Sequence, residues 1–286
     1  MADRGRGPRR ARRWSAVERT LRECHGPLIA GVDEVGRGPL AGPVVACAVV
    51  MPPDVRAIRG VDDSKQLTPA RRERLAARIR ERALAIALGA ASVREIERLN
   101  IYHATTLAIR RALARLPVSP HHVLLDGKPI RALGTAHTAV VGADARCYSV
   151  ACASIVAKVT RDRLMRALAR RYPGYAWHAN VGYATPAHLA GVERAGPSPH
   201  HRRTFLHARQ LELRLDAETL IQSAALHAVD SARDVAVLID LVRDTAADVG
   251  APSPGEGGAR PAPALPNASG PSATGAAAAD APPAGP

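Results

Sequence analysis

Aromatic side chains are scarce in this chain. One Phe, two Trp and five Tyr make up 3% of 286 residues, so a core must be built from Ala, Val, Leu and Ile. Cysteine is scarce too: Cys24, Cys47, Cys147 and Cys152 form no C-x-x-C pair and no zinc spacing. That excludes a disulfide framework and a zinc ribbon, and leaves reduced, mostly buried thiols of a cytosolic protein as the expectation. Long apolar runs are missing; the longest strand-like one, Val44 to Met51, is too short to span a bilayer. The basic N-terminus lacks the apolar stretch of a signal peptide. A soluble, cytoplasmic, monomeric protein with no membrane partner is expected, its protein partners unidentified. There is no Ser-His-Asp or Cys-His arrangement, no nucleotide-hydrolase phosphate loop and no internal repeat. His121-His122 and His200-His201 have no partners at zinc spacing and read as surface or nucleic-acid contacts.

Positive charge, by contrast, is abundant. Lys plus Arg number 40 against 26 acids, a net charge of +14 that favours a polyanionic partner. It is spread unevenly. Residues 1–14 hold six arginines and one acid, whereas 216–250 hold seven acids and two arginines. The pattern divides the chain into a basic flexible arm (1–21), a folded domain (22–215), an acidic helical extension (216–250) and a Pro/Ala/Gly-rich tail (251–286) that cannot bury a core.

Within the domain, Leu28–Val32 and Val44–Met51 read as neighbouring strands joined by a Gly-rich turn. Thr68-Pro69 opens a helix running to about Ala83, with the hydroxyl as cap and proline at the first helical position. Ala85–Ala91 is strand-like, Ser92-Val93-Arg94-Glu95 is a capping box, and Ile101–Leu116 is amphipathic. Two short apolar strands follow, His122–Leu125 and Thr138–Val141, then a long helix over Tyr148–Arg171. Strands interleaved with helices in this order predict an α/β fold around a mixed sheet.

The chemistry lies at the strand ends. Asp33-Glu34, Asp126 and Asp144 each close an apolar strand candidate. If these strands are neighbours, four carboxylates converge at one sheet edge, and their mutual repulsion calls for divalent cations. All-oxygen ligation selects Mg²⁺ or Mn²⁺ over zinc. A pair of such ions could clamp both oxygens of an in-line phosphoryl displacement. Consecutive strand residues face opposite ways, so Asp33 and Glu34 share a site only if the strand kinks, for which Gly36 and Gly38 provide the means. Taken singly, Asp126 also reads as a turn residue and Asp144 as a helix cap. On the long helix, Val150, Ala153, Ala157, Leu164 and Leu168 share a face suited to the sheet, while Ser154, Lys158 and Arg161 line a flank suited to a nucleic-acid backbone. Arg161 and Asp162 read equally as a solvated flank.

The segment Asp33-Glu34-Val35-Gly36-Arg37-Gly38-Pro39-Leu40-Ala41-Gly42-Pro43-Val44 resembles the signature of the type 2 ribonuclease H (ribonuclease HII) family. So do Asp62-Asp63-Ser64-Lys65, residues 124–128, residues 153–162, Asn180-Val181-Gly182-Tyr183-Ala184-Thr185 and His201-Arg202-Arg203-Thr204-Phe205, in the same order. The resemblance covers about 27–210. It implies a ribonuclease H-like mixed sheet flanked by helices, followed here by a C-terminal helical extension. It also implies a metal-dependent endoribonuclease acting on RNA–DNA hybrids and on single ribonucleotides in duplex DNA, leaving 5′-phosphate and 3′-hydroxyl ends. Asp33, Glu34, Asp126 and Asp144 would be the catalytic, metal-binding acids. Gly36, Arg37 and Gly38 would contact the sugar-phosphate, Ser64 and Lys65 a backbone phosphate, and Tyr183 the RNA–DNA junction, where the 2′-hydroxyl distinguishes RNA from DNA. Read without the family, Tyr183 is equally a surface aromatic. Gly142-Ala143 stands where the family usually has Lys-Gly, and Val181 where it has lysine. A non-catalytic nucleic-acid binder and another nuclease of the same fold, such as an integrase or resolvase, are the competing readings.

Overall fold

In the computed structural model, residues 14–208 are described. The rest of the basic arm, the acidic extension and the Pro/Ala/Gly-rich tail lie outside the described residues. Helix α1 (Ala16–His25) leads into strands β1 (Ile29–Val35) and β2 (Val44–Val50), then α2 (Pro69–Arg82), β3 (Ala85–Ala91) and α3 (Val93–Ala114). Strands β4 (His122–Asp126) and β5 (His137–Val140) follow, with helices α4 (Ala143–Arg146), α5 (Tyr148–Arg171), α6 (Trp177–Asn180), α7 (Pro186–Ala195) and α8 (Arg203–Ala208). The sheet order is β3-β2-β1-β4-β5. β1 pairs antiparallel with β2 and parallel with β4, so the expected mixed sheet is present.

Two apolar layers hold helices on the sheet. Val45, Cys47 and Val49 meet Ala151, Cys152, Ile155 and Val156 of α5 and Leu75, Ala76 and Ile79 of α2 on one face. Ala30, Val32, Val44, Ala46, Ala48 and Val50 meet Ala104, Ala108, Ile109 and Ala112 of α3 on the other. With side chains this small, helix and strand approach closely. A Cβ on Gly31 would press into the backbone of Ser149 and Val150, and one on Gly89 into that of Ala108 and Ala112. Backbone cannot yield as a flexible side chain can, so Gly31→Ala is expected to cost about 1–3 kcal/mol through overpacking, read as a lowered melting temperature. An unchanged melting temperature would mean that α5 can lift off β1 without cost.

Three sequence expectations need correcting. Ordered chain begins earlier than residue 22: Ser15 and Glu18 form a capping box for α1, and the Glu18 carboxylate is wholly buried against the start of α5. Leu164 and Leu168 do not pack on the sheet; they meet Tyr175, Trp177 and Val192 in a separate C-terminal cluster. Three of the four histidines are not surface residues, since His122, His200 and His201 are buried and His121 alone is exposed. The two helical segments read between Ser92 and Leu116 join as α3, broken at Asn100, whose backbone is left-handed (φ 66°) and whose Oδ1 accepts from Tyr102 N and His103 N.

Candidate active site

β1 runs on through both acids, paired with β2 as Asp33↔Cys47 and Glu34↔Ala46. The expected kink between them is absent; the chain turns only at Gly36, with φ +94°. Alternation starts Asp33 toward the α5 face and Glu34 toward the α3 face, yet at the strand end Asp33 still feels the Glu34 charge and both feel Asp126, so one site can use all three without a kink. Parallel pairing of Val32 with Leu125 places Asp126 on the strand beside Asp33, both at the same end of the sheet. Leu124 packs with the α5-side residues Val150 and Cys147, and Leu125 with the α3-side cluster, so Asp126 shares the α5 face with Asp33.

Burial, then the charges of Glu34 and Asp126, push the Asp33 carboxyl well above the usual carboxylate range. Burial also raises Glu34, partly offset by Arg37, whose Nη1 lies 3.2 Å from Glu34 Oε1. Asp126 Oδ1 accepts the Ala143 amide at 2.7 Å, which fastens β4 to the first turn of α4. Asp144 Oδ1 accepts its neighbour's amide (Ala145, 2.8 Å), and Oδ2 takes the Lys65 ammonium at 3.2 Å. The turn and cap readings of these two acids are thus partly realised, with one oxygen of each so engaged. Gly142, left-handed at φ 70°, caps α4 in the place where the family pattern differs.

Among the described residues no three His, Cys, Asp or Glu side chains already form a metal cage. Asp33, Glu34 and Asp126 act on one another electrostatically, and Asp144 is paired with Lys65, whose ammonium also feels Asp33. The donor set fits a hard divalent cation: every candidate ligand is a carboxylate oxygen, and the buried negative charge around Asp33 is what such an ion neutralises.

The flank of α5 differs from its sequence reading. Ser154 bonds Ser64 Oγ at 2.9 Å and also the Asp33 carboxylate, and both serines are buried. These two buried hydroxyls tie the 62–65 turn to the acids. Lys158 is paired with Asp162 at 2.6 Å. Arg161 is neither solvated nor on a phosphate-binding surface; it is completely buried.

Two buried arginines build the loop instead. Arg202 Nη2 donates to Gly36 O (2.5 Å) and Gly42 O (2.7 Å), Nη1 to Arg37 O (2.8 Å) and Nε to Gly42 O (3.0 Å). In a trans peptide the N–H points opposite the C=O. The amides of Arg37 and Gly38 therefore face away from Arg202, side by side, an arrangement that receives an anion. A Cβ on Gly36 would strike Arg161, whereas one on Gly38 would meet no protein atom within 4 Å. Protein packing thus demands the first glycine, and the second leaves room for a ligand. Burial pushes Arg161 down to about 10 and Arg202 to about 9, so both stay charged at neutral pH beneath the loop.

Tyr183 is 45% exposed and follows Val181 and Gly182, both left-handed. Its carbonyl takes a bond from His188 Nδ1 at 2.8 Å. Trp177 Nε1 donates to His188 Nε2, which must therefore be an acceptor, and His201 Nε2 lies 3.0 Å from the same atom. His201 Nδ1 accepts from Ser198 N, so its proton sits on Nε2 and points at His188. Burial keeps both rings neutral, His201 pushed down to about 3. Sequence reasoning missed His188, Arg161 and Arg202 as builders of the site, although the Thr160-Arg161-Asp162 and His201-Arg202-Arg203 stretches carried the signal.

Carboxylates closing adjacent strands of a ribonuclease H-like sheet, beneath a loop with outward amides, define a metal-dependent phosphodiester hydrolase. The ribonuclease HII family model matches residues 30–208. The chain belongs to that family. It is 53% identical over 216 residues to a ribonuclease HII of Granulibacter bethesdensis, spanning 74% of this chain and 98% of that protein. It is 53% identical over 186 residues to one of Synechococcus sp. (64% and 84%). Among solved structures it is similar to ribonuclease H2 from Pyrococcus horikoshii, at 28% identity and TM-score 0.55, covering 66% of this chain and all of that one. As a member it is an endoribonuclease of RNA–DNA hybrids, from a divalent-metal-dependent family. Membership sets aside the non-catalytic binder and the integrase or resolvase. Among the described residues no helix is long and apolar enough to cross a membrane.

Proposed function

We propose that this site also cleaves at single ribonucleotides embedded in duplex DNA, with Asp33, Glu34, Asp126 and Asp144 holding two Mg²⁺ or Mn²⁺ ions. The observation that carries the reading is the placement of Asp33 and Asp126 on paired strand ends, with the Arg37 and Gly38 amides close by on the loop continuing β1. Divalent ions bound there supply Lewis-acid chemistry for in-line displacement at phosphorus. The chain's own residues do the rest. The outward amides take phosphate oxygens of the ribonucleotide, and the Arg37 side chain, exposed beside Glu34, adds a cation at the same spot. Lys65, largely solvent-exposed, exchanges its bond to Asp144 for a backbone phosphate when that acid turns to an ion. The Tyr183 ring stacks on the sugar that follows the ribonucleotide and senses the 2′-hydroxyl. Scission on the 3′-oxygen side leaves 5′-phosphate and 3′-hydroxyl ends. The division into a basic arm (1–21), a catalytic domain (22–215) whose described part starts earlier, at residue 14, an acidic extension (216–250) and a Pro/Ala/Gly-rich tail (251–286) is part of this proposal, with the arm adding sequence-blind affinity for the duplex.

A duplex with one ribonucleotide tests this. Cleavage at that residue is expected, and Tyr183→Ala is expected to lower it by about 10–100-fold by removing the stacking surface, with smaller losses for Tyr183→Phe. Equal cutting of an all-DNA duplex would reject the reading.

A further inference from the structure

Arg161 touches both loops that the proposed function assigns to substrate. From the middle of α5, its Nε donates to Pro43 O at 3.0 Å and its Nη2 to Ala41 O at 3.0 Å, both in the segment that follows the 36–38 turn. Its Nη1 donates to Val181 O at 2.9 Å, two residues before Tyr183. The guanidinium is wholly buried, and Gly36 leaves it room, since a Cβ there would overlap its Nε and Cδ. The two loops also meet directly, through Leu40 N and Ala41 N on Gly182 O at 2.8 and 3.3 Å.

Val181 makes this clamp more than packing. A β-branched residue at φ +45° is strained, and such strain persists only where surrounding bonds over-determine it. The Val181 carbonyl on Arg161 and the Asn180 Oδ1 bond from Gly182 N, at 2.9 Å, are those bonds. Arginine's planar fork reaches three carbonyls at once, whereas lysine is a point donor on a flexible stem.

We infer that Arg161 is a positioning residue that fixes the span between the 36–38 amide cradle and the Tyr183 ring, and thereby sets the enzyme's preference for a lone ribonucleotide. The inference rests on the reading of both loops given above. In a long RNA–DNA hybrid every neighbouring sugar carries a 2′-hydroxyl, so a Tyr183 loop displaced by one ångström or so still finds one. A single ribonucleotide offers one hydroxyl at one place, and both loops must meet it together. Loss of the clamp therefore harms the lone-ribonucleotide substrate selectively.

The test is the ratio of kcat/KM on a one-ribonucleotide duplex to that on a continuous RNA–DNA hybrid, for the full chain with Mg²⁺. Arg161→Lys and Arg161→Gln are compared with wild type and with Tyr183→Ala. A smaller folded fraction scales both substrates equally, so the ratio is readable even in a preparation that folds poorly. The expected result is a fall of about tenfold or more in the ratio for both Arg161 variants, the scale that ångström misplacement produces. If Tyr183→Ala lowers the ratio and both Arg161 variants keep the wild-type value, the inference is wrong and the reading of Tyr183 stands. If Tyr183→Ala leaves the ratio unchanged, the reading itself fails and takes the inference with it.

Discussion

Asp33→Asn is expected to lower cleavage of RNA–DNA hybrid by at least about 10³-fold while leaving the melting temperature unchanged or higher, since one charge at the reacting centre outweighs anything else the side chain does. Asparagine matches aspartate in shape, so the bonds to Ser154 and to the Glu34 amide keep their geometry in outline. What disappears is a buried negative charge beside Glu34 and Asp126. Folding gains from that loss, because a buried charge without a close opposite partner costs free energy. Activity and stability thus move in opposite directions, as they do at sites strained for function. Thermal unfolding in Mn²⁺ separates the effects further: an ion that binds only the folded chain raises its melting temperature, and the variant is expected to show little of that rise. Loss of activity together with a melting temperature many degrees lower would mean that Asp33 holds the fold.

Glu18→Ala is expected to produce the largest loss of stability. One carboxylate, fully buried, accepts five bonds. Oε2 takes Ser15 N at 2.8 Å, Ser15 Oγ at 2.9 Å and Tyr148 N at 3.1 Å. Oε1 takes Ser149 N and Ser149 Oγ, each at 2.7 Å. The same group closes the start of α1 and the start of α5, where its charge also suits the helix dipole. Alanine leaves buried amides and a hydroxyl unsatisfied, at a cost of about 3 kcal/mol or more, or about 6–12 °C in melting temperature for a domain of this size. Glu18→Gln keeps the volume and one accepting oxygen, and falls between. A shift of less than about 2 °C for alanine would show that α1 is dispensable. Activity per folded molecule is expected to change little, because the five bonds to Glu18 come from Ser15, Tyr148 and Ser149 and from none of the acids.

Much of the fold was legible because its signals are local. β3 and α5 lie where apolar runs and helix patterning put them, and Thr68-Pro69 and Ser92-Glu95 open helices through the expected cap bonds. Asp33 and Asp126 stand at strand ends as the apolar runs before them indicated, whereas Asp144 lies in α4, beyond the end of β5, because the chain turns at Gly142. What escaped depends on contacts far apart in sequence. Glu18 sits among arginines and reads as part of a charged arm, yet its partners are 130 residues away. Arg161 reads as a surface cation and Arg202 only as part of a motif, because arginine is rarely buried and nothing nearby announces that main-chain carbonyls from three turns converge on them. The kink after Asp33 is absent for the opposite reason. Glycines at 36 and 38 suggested an early kink, but pairing with β2 keeps the strand regular through Val35. His188 and His201, taken singly, are ordinary histidines, and only their mutual hydrogen bonds assign a tautomer to each.

Calorimetric titration of the full chain with Mn²⁺, set beside the same titration of Asp33→Asn and Asp126→Asn, addresses the acids themselves without relying on turnover. The wild type is expected to bind the ion, and each variant to bind it at least about tenfold more weakly, the scale seen when metal-site carboxylates are altered. Equal affinity in all three proteins would contradict the assignment of these strand-end carboxylates as the ligands.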